Sequence, residues 1–195
     1  MKDAARNRDS IIDNSCEALG AIGLAGLTIS VVAERAGVST ALVHYHFDTK
    51  AKLLVATAER VASRRHARRA QALKSAVGLD AIDALWSAVE QNVSEGVERA
   101  YVELALHGRG DAGAAEAMTR QRVTHRTTMI ARLPALLREL GASAASASDE
   151  LAAALDAELD GLSLALLAGE EAATVRTAYD AFWLSLLAAG QTRRR

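Results

Sequence analysis

The chain has 195 residues, half of them apolar, enough to fill one large core or two modest ones. Its net charge of -1, taken alone, argues against a polyanionic partner, and a single cysteine, Cys16, excludes an internal disulfide. The first residues show no basic start followed by an apolar run, and no stretch reaches the roughly 18 uncharged apolar residues of a membrane helix. A folded, soluble, cytoplasmic protein is therefore expected.

Charge is distributed unevenly along the chain. Residues 1–70 carry a net +4 and the remainder -5. A basic front and an acidic back suggest that one part meets a polyanion while the other has a different task. One proline and almost no alternating β-branched runs, with apolar residues recurring at three- and four-residue spacing, give an all-α expectation.

In chain order, the first helix is expected over residues 8–22, with Ile11, Ile12, Ala18 and Leu19 on one stripe and the glycines at 23 and 26 ending it. Thr28 caps a short second helix ending near Ala36, Gly37 offers a left-handed turn, and Ser39 caps a third helix ending at His46 or Phe47. Two short helices joined through A-G-V-S form a helix-turn-helix signature. Lys50 starts a fourth helix that continues to about Val77, where Gly78 is a plausible stop. Helical patterns follow near residues 80–94, 98–109, 114–140, 149–167 and 170–188, making nine in all. Pro134 should bend or split the seventh, because it removes a backbone donor and clashes with the preceding turn. Residues 141–148 read as a flexible loop and 191–195 as a tail.

In a helix-turn-helix the second helix enters the major groove N-terminus first. Behind the Ser39 cap, Thr40, Ala41 and Leu42 sit where base edges are met, one hydroxyl for hydrogen bonding and apolar groups for thymine methyls. His44 and Tyr45 follow one turn later and reach bases or phosphates. Val43 and Phe47, four apart on the opposite face, anchor the helix in a core with Val32, Ala33 and Val38. Ser30 approaches the groove edge, while Thr28, Ser39, Tyr45, His46 and Lys50 are candidate phosphate ligands, helped by amide donors at the helix starts. The arginines at 60, 64, 65, 68 and 69 read either as a field that steers DNA or as a solvated face.

The stretch from Arg8 to Leu53 resembles, without a gap, the DNA-binding domain of the tetracycline-repressor (TetR) family of bacterial regulators. The family's Arg-x-x-Ile opening corresponds to Arg8 and Ile11, its glycine after the first helix to Gly23, and its threonine cap to Thr28. Its Ile-Ala pair corresponds to Val32 and Ala33, its turn to residues 36–39, and its aromatic-His-Phe-x-x-Lys segment to Tyr45, His46, Phe47 and Lys50. The sequence departs from it at His44, where many members have tyrosine, and at Asn14 and Ser15, where a small pair is usual. The resemblance implies a nine-helix TetR-like architecture: a three-helix DNA-binding domain, residues 1–50, and a ligand-binding and dimerisation domain, residues 51–190. It also implies a repressor of double-stranded operator DNA, released by a small-molecule effector.

The last two helical patterns present more apolar stripe than one small subunit buries, so they read as a homodimer interface. Leu155, Leu159, Leu162, Leu166, Phe182 and Leu186 would supply area, and Gly161 close helix approach. Such symmetry suits a near-palindrome whose half-sites lie roughly 34–36 Å apart. For the effector, which the sequence leaves unidentified, the resemblance points between the fourth and eighth helices, where Trp86, Tyr101, Glu103, His107, Met118, Arg122, His125 and Met129 are the candidate contacts. No nucleophile elbow, phosphate loop or zinc-ligand spacing occurs, so neither an enzyme nor a metal or cofactor site is expected.

Overall fold

The computed structural model describes residues 2–108, 110–143 and 149–192, and all regular structure among them is α-helical. The described helices are α1 (Lys2–Gly26), α2 (Ile29–Ala36), α3 (Thr40–Phe47), α4 (Lys50–Ser75), α5 (Gly78–Ser94), α6 (Val97–His107), α7 (Ala112–Glu139), α8 (Asp149–Leu167) and α9 (Ala172–Thr192). These nine match the nine expected from periodicity. Among the described residues no helix is long and apolar enough to cross a membrane.

The local stop signals act only in part as the sequence suggests. Gly23 breaks α1 with φ 75° and ψ 173°, a conformation that glycine adopts at little cost. Gly78, expected as a stop, is instead the first residue of α5: at φ 56° it turns the chain, and its amide donates to Glu139 Oε2 over 2.9 Å. The Glu139 carboxyl is held below its ordinary value by hydrogen bonds from Arg132 and from this amide. Pro134 does not split α7, which continues to Glu139. Met129, Leu133, Leu136 and Leu137 are all buried around it, and their packing outweighs the one backbone bond that proline removes. Of the expected loop and tail, residues 144–148 and 193–195 lie outside the described residues, as does residue 109.

The chain divides into two compact units, Met1–Arg65 with Ser94–Arg122, and His66–Val93 with Val123–Arg195. In the first, Ile11, Ile12 and Leu19 of α1 pack with Leu27, Val32 and Ala33, with Val43 and Phe47 of α3, with Leu53, Leu54 and Val61 of α4, and with Tyr101 and Leu104 of α6. Each large side chain so enclosed contributes roughly 1.5–3 kcal/mol. Cys16 belongs to this core, and burial pushes its thiol up to about 12.

Helix α6 lies directly against α1. A Cβ placed on Gly20 would stand 2.8 Å from the carbonyl oxygen of Gly96, which itself has φ 75°. Beside this contact, Arg99 Nη1 donates to the Ala21 carbonyl at 3.0 Å, and Glu103 accepts from the Leu24 amide just past the Gly23 break. Arg99 and Glu103 are themselves paired at 3.1 Å. Deeper in, Arg65 Nε donates to both carboxylate oxygens of Glu98, at 3.0 and 2.8 Å, with the guanidinium 4.1 Å from the centre of the Tyr101 ring.

The second unit has its own core: Leu73, Ile82, Leu85, Trp86, Val89, Met129, Leu133, Leu136, Leu155, Leu159, Leu162, Val175, Tyr179 and Trp183. Tyr179 donates to the Ile82 carbonyl at 2.8 Å, and burial raises its hydroxyl pKa well above the ordinary value. Arg69 has no exposed surface and holds α8 through Asp160 Oδ1 at 3.2 Å and Ser163 Oγ at 3.1 Å.

The arginine series on α4 is therefore not one solvated face. Arg65 and Arg69 are inside, Arg68 donates to Asn92 at 2.9 Å, and Arg60 and Arg64 pair with Asp9 and Asp13 of α1.

Candidate functional site

Local chemistry fixes α2 and α3. Thr28, in extended conformation, accepts the Val31 amide at 3.2 Å, and Ser39 accepts the Leu42 amide at the same distance. Between them Gly37 takes φ 64° and returns its amide to Ala33 and Glu34 carbonyls, closing α2. Ser39→Ala is expected to lower the unfolding free energy by about 1 kcal/mol in urea titration; an unchanged midpoint would show that the cap carries no weight.

Two faces of α3 are clearly separated. Val43 and Phe47 are buried, whereas Thr40, Ala41, His44 and Tyr45 are exposed, Tyr45 by 78%. At 3.6 residues per turn these four form one outward strip. Leu42 is half-buried, and Thr28, Ser30, Ser39 and Lys50 are exposed. His46 is half-buried, its Nε2 shielded from solvent without a hydrogen-bond partner among the described residues.

The turn into α4 is tight. Asp48 has φ 60° and ψ -54°, and the Thr49 amide donates to the Phe47 carbonyl at 2.5 Å, a γ-turn with positive φ that costs strain in a non-glycine residue. Three contacts offset it: the Asp48 amide to His44 O at 2.7 Å, His44 Nδ1 at 3.1 Å from Asp48 O, and Lys52 Nζ at 2.9 Å from Asp48 Oδ2. The Lys52 hydrogen bond also holds the Asp48 carboxyl below its ordinary value. Thr49 then caps α4 by accepting the Lys52 amide at 3.2 Å, leaving Lys50 exposed at the helix start.

The eight residues read as effector contacts fall into both units. Tyr101, Glu103, His107, Met118 and Arg122 belong to the first, and Trp86, His125 and Met129 to the second. Tyr101 and Met118 are buried in the first core, Glu103 is bound to α1 and Arg99, His107 lies 3.8 Å from Asp111, and Arg122 is exposed. In the second unit Trp86 and Met129 share one core, and His125 is buried beside Asp156, a partner the sequence did not single out.

On α8, Leu155, Leu159 and Leu162 face the unit's own core, while Gly161 is exposed and Leu166 half-buried. Phe182 and Leu186 on α9 are also half-buried. The exposed apolar surface of the pair is carried by Leu164 and Leu184, at 56% and 68%, with Ala157, Ala178, Ala181 and Ala188. Along α9 from residue 172 to 189 the charged side chains are Arg176 and Asp180, paired with each other at 2.8 Å and 32% and 48% exposed. Among the described residues no cluster of three or more His, Cys, Asp or Glu is arranged to hold a metal.

Comparison with known proteins bears on the same elements. Residues 11–57 match the family described as bacterial regulatory proteins, tetR family. No protein among the curated ones matches the chain. Among solved structures, one assigned to the TetR-family transcriptional regulators, from Rhodococcus sp., shares 22% identity over 94% of this chain and 99% of its own, with a TM-score of 0.76. A transcriptional regulator assigned in Saccharomonospora viridis, in complex with choline, shares 17% identity over 91% and 95%, with a TM-score of 0.71. The multidrug binding protein EbrR, complexed with imidazole, shares 27% identity over 90% and 88%, with a TM-score of 0.58. Residues 11–57, which hold α2 and α3, are thus similar to the DNA-binding helix-turn-helix of the tetR family of bacterial regulatory proteins.

Proposed function

We propose that this regulator is a cytoplasmic repressor, not an enzyme, that binds a near-palindromic operator as a homodimer and is released by a small molecule. Residues 1–50 read DNA; residues 51–190 pair the subunits and receive the effector. The observation that carries the reading is the exposed strip of Thr40, Ala41, His44 and Tyr45 on a helix whose opposite face is held in the core by Val43 and Phe47. Thr40 and Ala41 meet base edges, and Thr28, Ser39, Tyr45 and Lys50 take phosphates, with the α4 start adding its dipole. The exposed apolar positions of α9, Leu184 foremost, with Leu164 of α8, support pairing of two subunits. The choline and imidazole complexes of the two similar proteins support a small, polar or cationic effector here too. By linkage, effector weakens DNA binding by the same factor as DNA weakens effector binding.

The test is selection of bound fragments from source genomic DNA by the purified chain, followed by binding of the recovered sequence to variants. A short near-palindrome should emerge. Thr40→Ala should alter base preference at one position per half-site, whereas Lys50→Ala should weaken all sites alike and lower the salt slope by about one per subunit. Enrichment of no sequence by folded protein, with and without candidate effectors, would defeat the reading.

A further inference from the structure

In the second unit, His66 of α4, His125 of α7 and Asp156 of α8 meet inside the fold, with 5%, 3% and 8% of their surface exposed. The two imidazoles stack, centroids 4.5 Å apart and planes within 10°. His125 Nε2 lies 3.1 Å from Asp156 Oδ1. That bond uses one polar atom of each side chain. The others, His125 Nδ1 and Asp156 Oδ2, are buried with no hydrogen-bond partner among the described residues.

Leaving such atoms unmet is costly, and more so when the group is charged. Their surroundings make the cost unnecessary for packing alone. One turn along α7 stands Met129, and around Asp156 on α8 stand Ala152, Leu155 and Leu159, all buried and apolar. A leucine pair in place of His125 and Asp156 would fill the same interior without the penalty, so the polar atoms point to something they bind.

The open Asp156 oxygen selects its chemistry. Paired as a carboxylate with a neutral imidazole, Asp156 takes its hydrogen bond from Nε2–H and Nδ1 keeps a lone pair. Both open atoms are then acceptors, and the pair carries a net negative charge. An anion would be repelled by Oδ2, and an apolar molecule would satisfy neither atom. On the same helices, the buried Arg69 is bound to Asp160 and Ser163. Arg126, the residue after His125, points about 100° away around the helix.

We propose that the His125–Asp156 pair recognises a small organic cation, a primary or secondary ammonium carried on an apolar body. The ammonium donates to Asp156 Oδ2 and the body lies among the apolar residues that flank the pair. His66, whose ring stacks on that of His125, keeps that imidazole in register. The proposal deepens the effector reading given above and rests on it, and it commits that reading to one charge type.

Both tryptophans of the chain, Trp86 and Trp183, lie in the core of this unit, so their fluorescence reports on it. Benzylamine, cationic at neutral pH, is titrated into the full chain without DNA, with benzyl alcohol and benzoate as neutral and anionic probes of similar shape. The expected result is a saturable change with benzylamine, little with benzoate, and a dissociation constant about tenfold or more weaker in Asp156→Asn. An equal response to benzyl alcohol, no response to benzylamine, or unchanged affinity in Asp156→Asn would overturn the proposal. Should that variant fail to fold, the imidazole ¹⁵N signals of His125 in the unaltered chain, assigned by their loss in His125→Gln, decide: benzylamine must shift them, and unmoved signals reject the site. A chain that selects an operator but ignores benzylamine loses only this proposal, whereas one that binds benzylamine but selects no DNA loses the regulator reading instead.

Discussion

Arg65→Ala is expected to lower the unfolding free energy of the chain by about 3–5 kcal/mol. The side chains of Arg65 and Glu98 are only 3% and 1% exposed, so solvent neither screens the pair nor rehydrates the partner left behind. Removing the guanidinium takes from the buried Glu98 carboxylate both hydrogen bonds that Arg65 Nε donates, and takes away the cation resting 4.1 Å above the Tyr101 ring. The loss measures an abandoned charge, not the net worth of the pair. Replacing both residues together, Arg65→Met with Glu98→Leu, should therefore recover most of the stability. Urea unfolding of the two variants separates these terms, and a single-variant loss below about 1 kcal/mol would show that water or a rearranged neighbour reaches Glu98 after all.

The second large effect is expected at Gly20, where alanine should destabilise the fold by about 1–3 kcal/mol. Alanine is the better helix former by about 1 kcal/mol, so propensity alone predicts the opposite sign. Sterics decide the matter. The added carbon would stand 2.8 Å from the Gly96 oxygen, 3.1 Å from its carbonyl carbon and 3.2 Å from its Cα, all backbone atoms that no rotamer change can move. Relief requires α6 to back away from α1, which also lengthens the bonds from Arg99 to Ala21 and from Leu24 to Glu103. A thermal melt of Gly20→Ala tests this, and a midpoint equal to or above that of the unaltered chain would mean the helices separate freely.

What the sequence made legible was whatever is decided within a few residues. The Thr28 and Ser39 caps, the left-handed Gly37 and the Gly23 break obey rules of backbone geometry that operate locally, and together they locate the helix-turn-helix. Amphipathic spacing likewise placed Val43 and Phe47 inward on α3. Features that depend on distant partners were not legible. Arg65 and Glu98 are 33 positions apart, Arg69 and Asp160 91, and nothing in a run of arginines says which of them meets a carboxylate inside the fold. Pro134 shows the same limit, since its local tendency is overruled by the buried side chains on either side.

On α8 the apolar stripe was visible but its allegiance was not. Alanine and leucine occur on both faces, so Leu155 and Leu159 read as well for a partner as for the subunit's own interior, where they lie. Glu103, read as a pocket group from its position among apolar residues, is bound to the Leu24 amide 79 positions earlier. His125 was noticed, whereas its partner Asp156 stood in an unremarked acidic-apolar alternation and came into view only once α7 and α8 were placed together.

The way α6 is fastened onto α1 bears on how such regulators can be recombined. A hybrid joined at residue 50 would give the transplanted helices a foreign α6, and the Gly20 surface tolerates only a glycine backbone at contact distance. The Leu24 amide and Ala21 carbonyl would also lose the two side chains that meet them. On the proposed reading, DNA specificity is thus swapped most cleanly when residues 94–122 travel with the first 65, two separate stretches of gene that must be exchanged as one.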